Sequence, residues 1–119
     1  VEKGAKMMKT LEEKNLKCFA WHARIKPGSE KEYKKRHDEI WPEMTSVLNQ
    51  AGIHNYTIWR YGNELFGYYE CDDLDMAARI QAESPVVERW NVYMKDILIM
   101  EFDEKTGVTP PLQLMFYHP

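Results

Sequence analysis

The hydrophobic period of this chain switches from two to three-or-four and back in a fixed order, and that order restricts its fold more than any single residue does. The first alternating run is CFAWHARI, with Phe19, Trp21, Ala23 and Ile25 on one face and Cys18, Ala20, His22 and Arg24 on the other. Such alternation predicts a half-buried strand. Pro27 and Gly28 end it, and Ser29 with Glu32 three residues later has the form of a helix-initiating capping box. From there Tyr33, His37, Ile40, Trp41, Met44, Val47, Leu48 and Ala51 recur at helical spacing, while Glu30, Lys34, Lys35, Asp38 and Asn49 take the remaining surface. Tyr33, His37 and Trp41 therefore share one face. Pro42 lacks an N–H for the Asp38 carbonyl and disfavours helical geometry at Trp41, so the helix should kink or restart there. Gly52 closes it.

HNYTIWRY (His54 to Tyr61), the Gly62-Asn63 turn and ELFGYYEC (Glu64 to Cys71) predict a β-hairpin, with Tyr56 on the same face as His54 and Ile58. Two short helices follow. One runs from about Asp73 to Ala82; the other has Ser84 as N-cap and Pro85 in its first position, with Val86, Trp90, Tyr93 and Ile97 inward. Ile97 to Phe102 reads equally as helix end or strand, Asp103 to Pro111 as a loop, and LQLMFYH near the C-terminus as the last strand. The order β-α-β-β-α-β is the ferredoxin-like α+β arrangement, four antiparallel strands with helices on one face. Aromatic residues on both strand faces call for a cover on the other side. A second copy of the chain, in a homodimer, is the expected one.

At 119 residues there is material for one core. Residues 1–16 are mostly polar and are expected to be a flexible extension, leaving 17–119 as the single domain. A net charge of −3, with acidic and basic residues interspersed, argues against nucleic acid or an anionic membrane as partner. There is no apolar run of membrane-spanning length and no apolar secretory segment, and Cys18 and Cys71 stand apart without a CxxC neighbour. The expectation is a cytoplasmic protein with reduced thiols. His22, His54 and His118 lack metal-type spacing, so no metal site is expected. There is no phosphate-binding glycine loop and no nucleophile signature.

His37 is the candidate for chemistry, although a packed histidine satisfied by one hydrogen bond would sit on the same stripe. Tyr33 and Trp41 bracket it at four-residue spacing, which gathers a phenol and an indole around an imidazole. The carbonyl freed by Pro42 should favour the charged form of the ring, making it an acid near neutral pH. Tyr56 and Trp90 read as packing aromatics by default.

EYKKRH at Glu32 to His37, DEIWPEM at Asp38 to Met44, AGIHNYTIW at Ala51 to Trp59, ERWNVYM at Glu88 to Met94 and the LQLMFYHP ending resemble the L-rhamnose mutarotase family over about Lys17 to Pro119. The resemblance implies a dimeric α+β barrel and a cofactor-free isomerase that interconverts the anomers of a free monosaccharide. It places the family's proton-donor histidine on His37 and sugar-contacting tyrosines on Tyr33 and Tyr56. Of the family's paired tryptophans, the first falls on Trp90 and the second is replaced by Asn91, a departure at a sugar-binding position that bears on which sugar fits. A non-catalytic ligand-binding dimer and a cofactor-free monooxygenase of the same barrel type are the competing readings.

Overall fold

A computed structural model describes residues 17–99 and 111–119. The elements are β1 (Cys18–Ile25), α1 (Glu30–Asp38), α2 (Pro42–Gln50), β2 (Ile53–Tyr61), β3 (Glu64–Cys71), α3 (Leu74–Glu83), α4 (Pro85–Met94) and β4 (Leu98–Ile99). The strands form one sheet in the order β2-β3-β1-β4, with every neighbouring pair antiparallel. That is the ferredoxin-like topology the sequence predicts. The expected N-terminal extension and most of the expected loop at 103–111 lie outside the described residues.

The break at Pro42 is a restart. Trp41 adopts an extended conformation as the N-cap of α2, Pro42 takes its first turn, and α1 ends at Asp38. A proline in the first turn costs nothing, because its missing N–H would have been unpaired there anyway. Ser84 caps α4 as expected, its hydroxyl accepting from the Val87 N–H at 3.3 Å, and the Asp73 carboxylate caps α3 from the Met76 N–H at 3.0 Å. The Ser29–Glu32 capping box does not form. Ser29 stands at the N-cap without a side-chain bond, and Glu32 is drawn to Arg36 one turn later at 3.0 Å.

Three further expectations are corrected. β2 carries a register shift between His54 and Thr57, with Asn55 at a φ of +49°. This bulge inserts one extra residue, so Ile53 and Tyr56 both turn inward and His54 is exposed on the other side. His54 thus does not share the face of Tyr56 and Ile58. In α4 it is Met94, 1% exposed, that points into the core, while Tyr93 is partly exposed. The fourth strand is Leu98–Ile99, which pairs with Arg24 and Ile25 of β1. LQLMFYH is not a strand: among the described residues its contact with the sheet backbone is the bond from the Leu112 N–H to the Ala20 carbonyl, 2.8 Å.

The core lies between the inner sheet face and the helices in two adjoining clusters. One joins Ile25, Leu65, Trp90, Met94 and Ile97 to Tyr33 and Met44; the other joins Ala51, Ile53, Tyr69, Cys71 and Ala77. Gly52 closes α2 at a φ of +69°, a conformation that β-carbon-bearing residues avoid. On the outer face Trp59 and Tyr61 are 69% and 83% exposed, with Phe66 and Tyr68 beside them. No helix among the described residues is long and apolar enough to cross a membrane.

Gly67 sits mid-strand directly opposite Trp21, and the Trp21 indole lies flat in the space a β-carbon would fill. Glycine in a strand interior marks such a close approach. Gly67→Ala should therefore push the indole off the sheet and destabilise the fold by about 1–3 kcal/mol, the range for overpacking. Denaturant unfolding of the variant against wild type measures it, and an unchanged midpoint would contradict the close packing.

Candidate functional site

α1 ends one residue after His37 because Pro42 lies four positions downstream of Asp38, and this puts the imidazole at the open end of the helix above the core. Its ring stacks on Tyr33, one turn back, with centroids 4.3 Å apart, and meets the edge of Trp90 from α4 at 5.4 Å. Trp41 packs edge-on against Trp90 at 5.1 Å and tilts over Tyr93 at 5.4 Å. His37, Tyr33 and Trp90 thus come together as a wall of rings built by two helices.

The imidazole is pinned by one hydrogen bond. A carbonyl can only accept, so the 3.1 Å contact between Nδ1 and the Tyr33 carbonyl fixes the proton on Nδ1 and leaves Nε2 as the lone-pair nitrogen of the neutral ring. Burial pushes His37 below its ordinary 6.5; the Tyr33 carbonyl and, more weakly, Asp38 oppose that shift without reversing it. The sequence-based expectation of a ring biased toward its charged form is corrected here: loss of hydration outweighs the carbonyl dipoles. At neutral pH His37 is an uncharged imidazole with a free basic nitrogen.

Tyr56 approaches from the sheet, turned inward by the bulge at Asn55. Its hydroxyl accepts from the Trp21 indole N–H at 3.0 Å, and its ring packs on Tyr69 at 5.1 Å. Burial pushes Tyr56 up to about 12, with the Trp21 bond opposing. Tyr33 is raised further, first by burial and then by the proximity of Tyr56. Both phenols therefore stay protonated across the physiological range and can present O–H donors beside an imidazole that can accept. Asn91 is exposed, next round α4 from Trp90.

α1 and α4 are tied together beside this wall. Arg36 bonds both carboxylate oxygens of Asp96, at 2.8 and 3.2 Å, donates to the Tyr93 carbonyl at 2.8 Å and lies over the Tyr93 ring at 4.5 Å. The guanidinium holds Asp96 below the usual carboxylate range. Sequence reasoning missed this tie, and it missed Trp21, whose bond to Tyr56 spans 35 residues. An isolated glycine at 67 inside an apolar strand was the available signal for the latter.

Among the described residues no three His, Cys, Asp or Glu side chains converge in the manner of a metal site. A groove of 480 Å³ between α2, α3 and α4, lined by residues such as Glu43, Val47, Ile80 and Glu83, has no aromatic wall and shares no residue with the His37 cluster.

The family model for L-rhamnose mutarotase matches residues 18–118. An L-rhamnose mutarotase of Mesorhizobium japonicum is 41% identical over 83% of this chain and 94% of its own length, and one of Rhizobium johnstonii is 37% identical over 87% and 98%. The crystal structure of an L-rhamnose mutarotase from Formosa agariphila superposes with a TM-score of 0.71 at 28% identity, covering 87% of this chain and 99% of that one. Tetracenomycin F2 cyclase from Streptomyces glaucescens shares the fold at 16% identity and a TM-score of 0.63, with 86% of this chain covered. Neither the non-catalytic nor the monooxygenase reading is favoured by these relatives. From its fold and its similarity along nearly the whole described domain, the chain belongs to the L-rhamnose mutarotase family.

Proposed function

We propose that this protein is an L-rhamnose mutarotase in which His37 carries the proton between the two oxygens of the anomeric carbon. The observation that supports it most is the neutral imidazole with Nδ1 committed to the Tyr33 carbonyl and Nε2 free to act. Mutarotation needs one proton off the anomeric hydroxyl and one onto the ring oxygen. Both oxygens are bonded to the same carbon, so one Nε2 can take the first proton and return it to the second as the ring bond breaks. The aldehyde end rotates, and the steps reverse on its other face. Nothing is consumed, and neither cofactor nor metal is needed. An imidazole lowered by burial from its ordinary 6.5 is neutral at the start of the cycle, as a group that must act first as base and then as acid requires.

In this reading Tyr33 and Tyr56 direct phenol O–H groups at sugar oxygens, and Trp90 offers ring surface to the C–H groups of a 6-deoxy sugar. Asn91 stands at the rim. The exposed outer face of Trp59, Tyr61, Phe66 and Tyr68 supports a homodimer in which that face is covered by a second copy. A cytoplasmic location fits the two free cysteines, one of them buried.

His37→Asn and His37→Ala should each slow anomer exchange of L-rhamnose about 10²-fold or more, as read by saturation-transfer NMR. A folded variant exchanging at near the wild-type rate would remove His37 from the mechanism. Because the ring must start neutral, the wild-type rate should be level near neutral pH and fall on acidification through a value below 6.5; that limb should be absent from the residual rate of His37→Asn. Stability follows the same sign. The unfolded chain takes up a proton that the folded imidazole resists, so acidification below 6.5 also destabilises the fold, and the rate must be corrected for the folded fraction.

Sedimentation equilibrium at micromolar concentration should give twice the chain mass; a monomer alone would show that the outer aromatic face needs no cover. Asn91→Trp should change the ranking of L-rhamnose against other 6-deoxy sugars and pentoses, and an unchanged ranking in a folded variant would place residue 91 outside the site.

A further inference from the structure

We propose that Trp21 is a positioning residue of the sugar site, whose indole N–H fixes the Tyr56 hydroxyl as a hydrogen-bond donor to a sugar oxygen. The inference rests on the mutarotase reading and deepens it.

Direction is what makes the 3.0 Å bond between Trp21 Nε1 and the Tyr56 hydroxyl informative. A hydroxyl or water partner would leave the phenol hydrogen free to point either way, because it can both give and take. An indole N–H can only donate. Tyr56 must therefore accept from Trp21, its oxygen is occupied on that side, and its own hydrogen is forced away from the indole. A buried O–H without an acceptor is costly, so the hydrogen needs an oxygen to meet. The phenols near Tyr56 are Tyr69, on which its ring packs, and Tyr33, which carries the aromatic wall with His37. The hydrogen is thus turned away from Trp21, and in the mutarotase reading the oxygen it meets is the sugar's. A bond accepted by a hydroxyl also polarises the one it donates, so the chain Trp21 to Tyr56 to sugar is stronger than its second link alone.

The fold makes room for this device at a specific place. The indole can lie against the sheet because residue 67, opposite it in the register, is glycine. The phenol can reach the indole because the bulge at Asn55 turns Tyr56 inward, out of phase with His54. Trp21 is half-buried and packs against the cluster that contains Tyr33 and Trp90. Packing alone does not require an N–H at this atom; a bicyclic ring without one would cover the same cluster.

The test is a double-mutant cycle on anomer exchange of L-rhamnose, with Trp21→Phe made in the wild type and in Tyr56→Phe. Trp21→Phe should lower kcat/KM about fivefold, the equivalent of one net hydrogen bond. In the Tyr56→Phe background, where there is no hydroxyl to orient, the same change should have little effect. Trp21→3-benzothienylalanine, which keeps the bicyclic shape and replaces N–H by sulfur, should reproduce the loss and guards against a Phe variant that folds poorly. Equal losses in both backgrounds, or full activity of the benzothienyl variant, would show that Trp21 only packs and would overturn the proposal while leaving the mutarotase reading intact. A wild-type protein that does not exchange L-rhamnose anomers at all would overturn both.

Discussion

A proline at position 42 sets the geometry on which the site depends. Without it the stripe from Tyr33 to Ala51 would make one continuous helix, and His37 would be a mid-helix ring whose surroundings were fixed by its own turn. With it, α1 stops at Asp38, Trp41 becomes the extended N-cap of a new helix, and α2 sets out toward β2. Trp41 is thereby free to pack on Trp90 and Tyr93 of α4, and His37 is left between Tyr33 and the edge of Trp90. The bidentate bond from Arg36 to Asp96 fastens the shortened helix to the end of α4, so the break does not loosen the site.

Two opposing effects decide what the histidine can do. Carbonyl dipoles at the end of a helix stabilise an imidazolium, and burial among aromatic rings destabilises it. Here burial prevails, and the ring rests neutral with its tautomer fixed. The distinction matters for a reaction that has no net proton balance. A permanently charged ring could give a proton to the ring oxygen but would wait for solvent to remove the anomeric one. A ring that begins neutral can do both in succession. The two phenols, held protonated by the same burial, supply donors that do not compete with it for protons.

What could be read from the sequence was whatever is encoded within a few residues. The alternation of β1, the proline restart, the hairpin and the Ser84-Pro85 helix start all follow from local rules, and Tyr33 and His37 stack as their spacing suggests, whereas only the family resemblance, not spacing, pointed to Trp90 beside them. The misreadings are each set by distant parts of the chain or by a shift of one residue. Glu32 could cap its own helix or pair with Arg36, and the second partner was already held in place by Asp96. Two apolar runs, ILIM and LQLMFYH, were both candidates for the free edge of β1, and it is Leu98–Ile99, directly after α4, that takes it. The phase of α4 places Met94 inward rather than Tyr93, which the broad apolar stripe allowed either way. Asn55, a residue type that tolerates positive φ, was the one local hint of the bulge that reverses the alternation of β2.

The site and the core share residues, and this shapes what the fold can tolerate. Tyr33 and Trp90 belong to the same cluster as Leu65 and Met94, so the wall proposed to face a sugar is the back of the packing that holds the sheet to the helices. Two of the polar groups beside them have partners within the protein: the Tyr33 carbonyl accepts from His37 Nδ1–H, and Trp21 donates to one side of the Tyr56 oxygen. The groups left for a ligand are therefore few and of fixed sense, one basic nitrogen and phenol hydrogens. A ligand that offers a hydroxyl hydrogen to the nitrogen and oxygen lone pairs to the phenols is complementary to that set, and a free pyranose has both on adjacent atoms. In the proposed site, rigid packing would thus contribute to ligand selection, because the aromatic rings that fill the core also fix the direction in which these hydrogen bonds can be made.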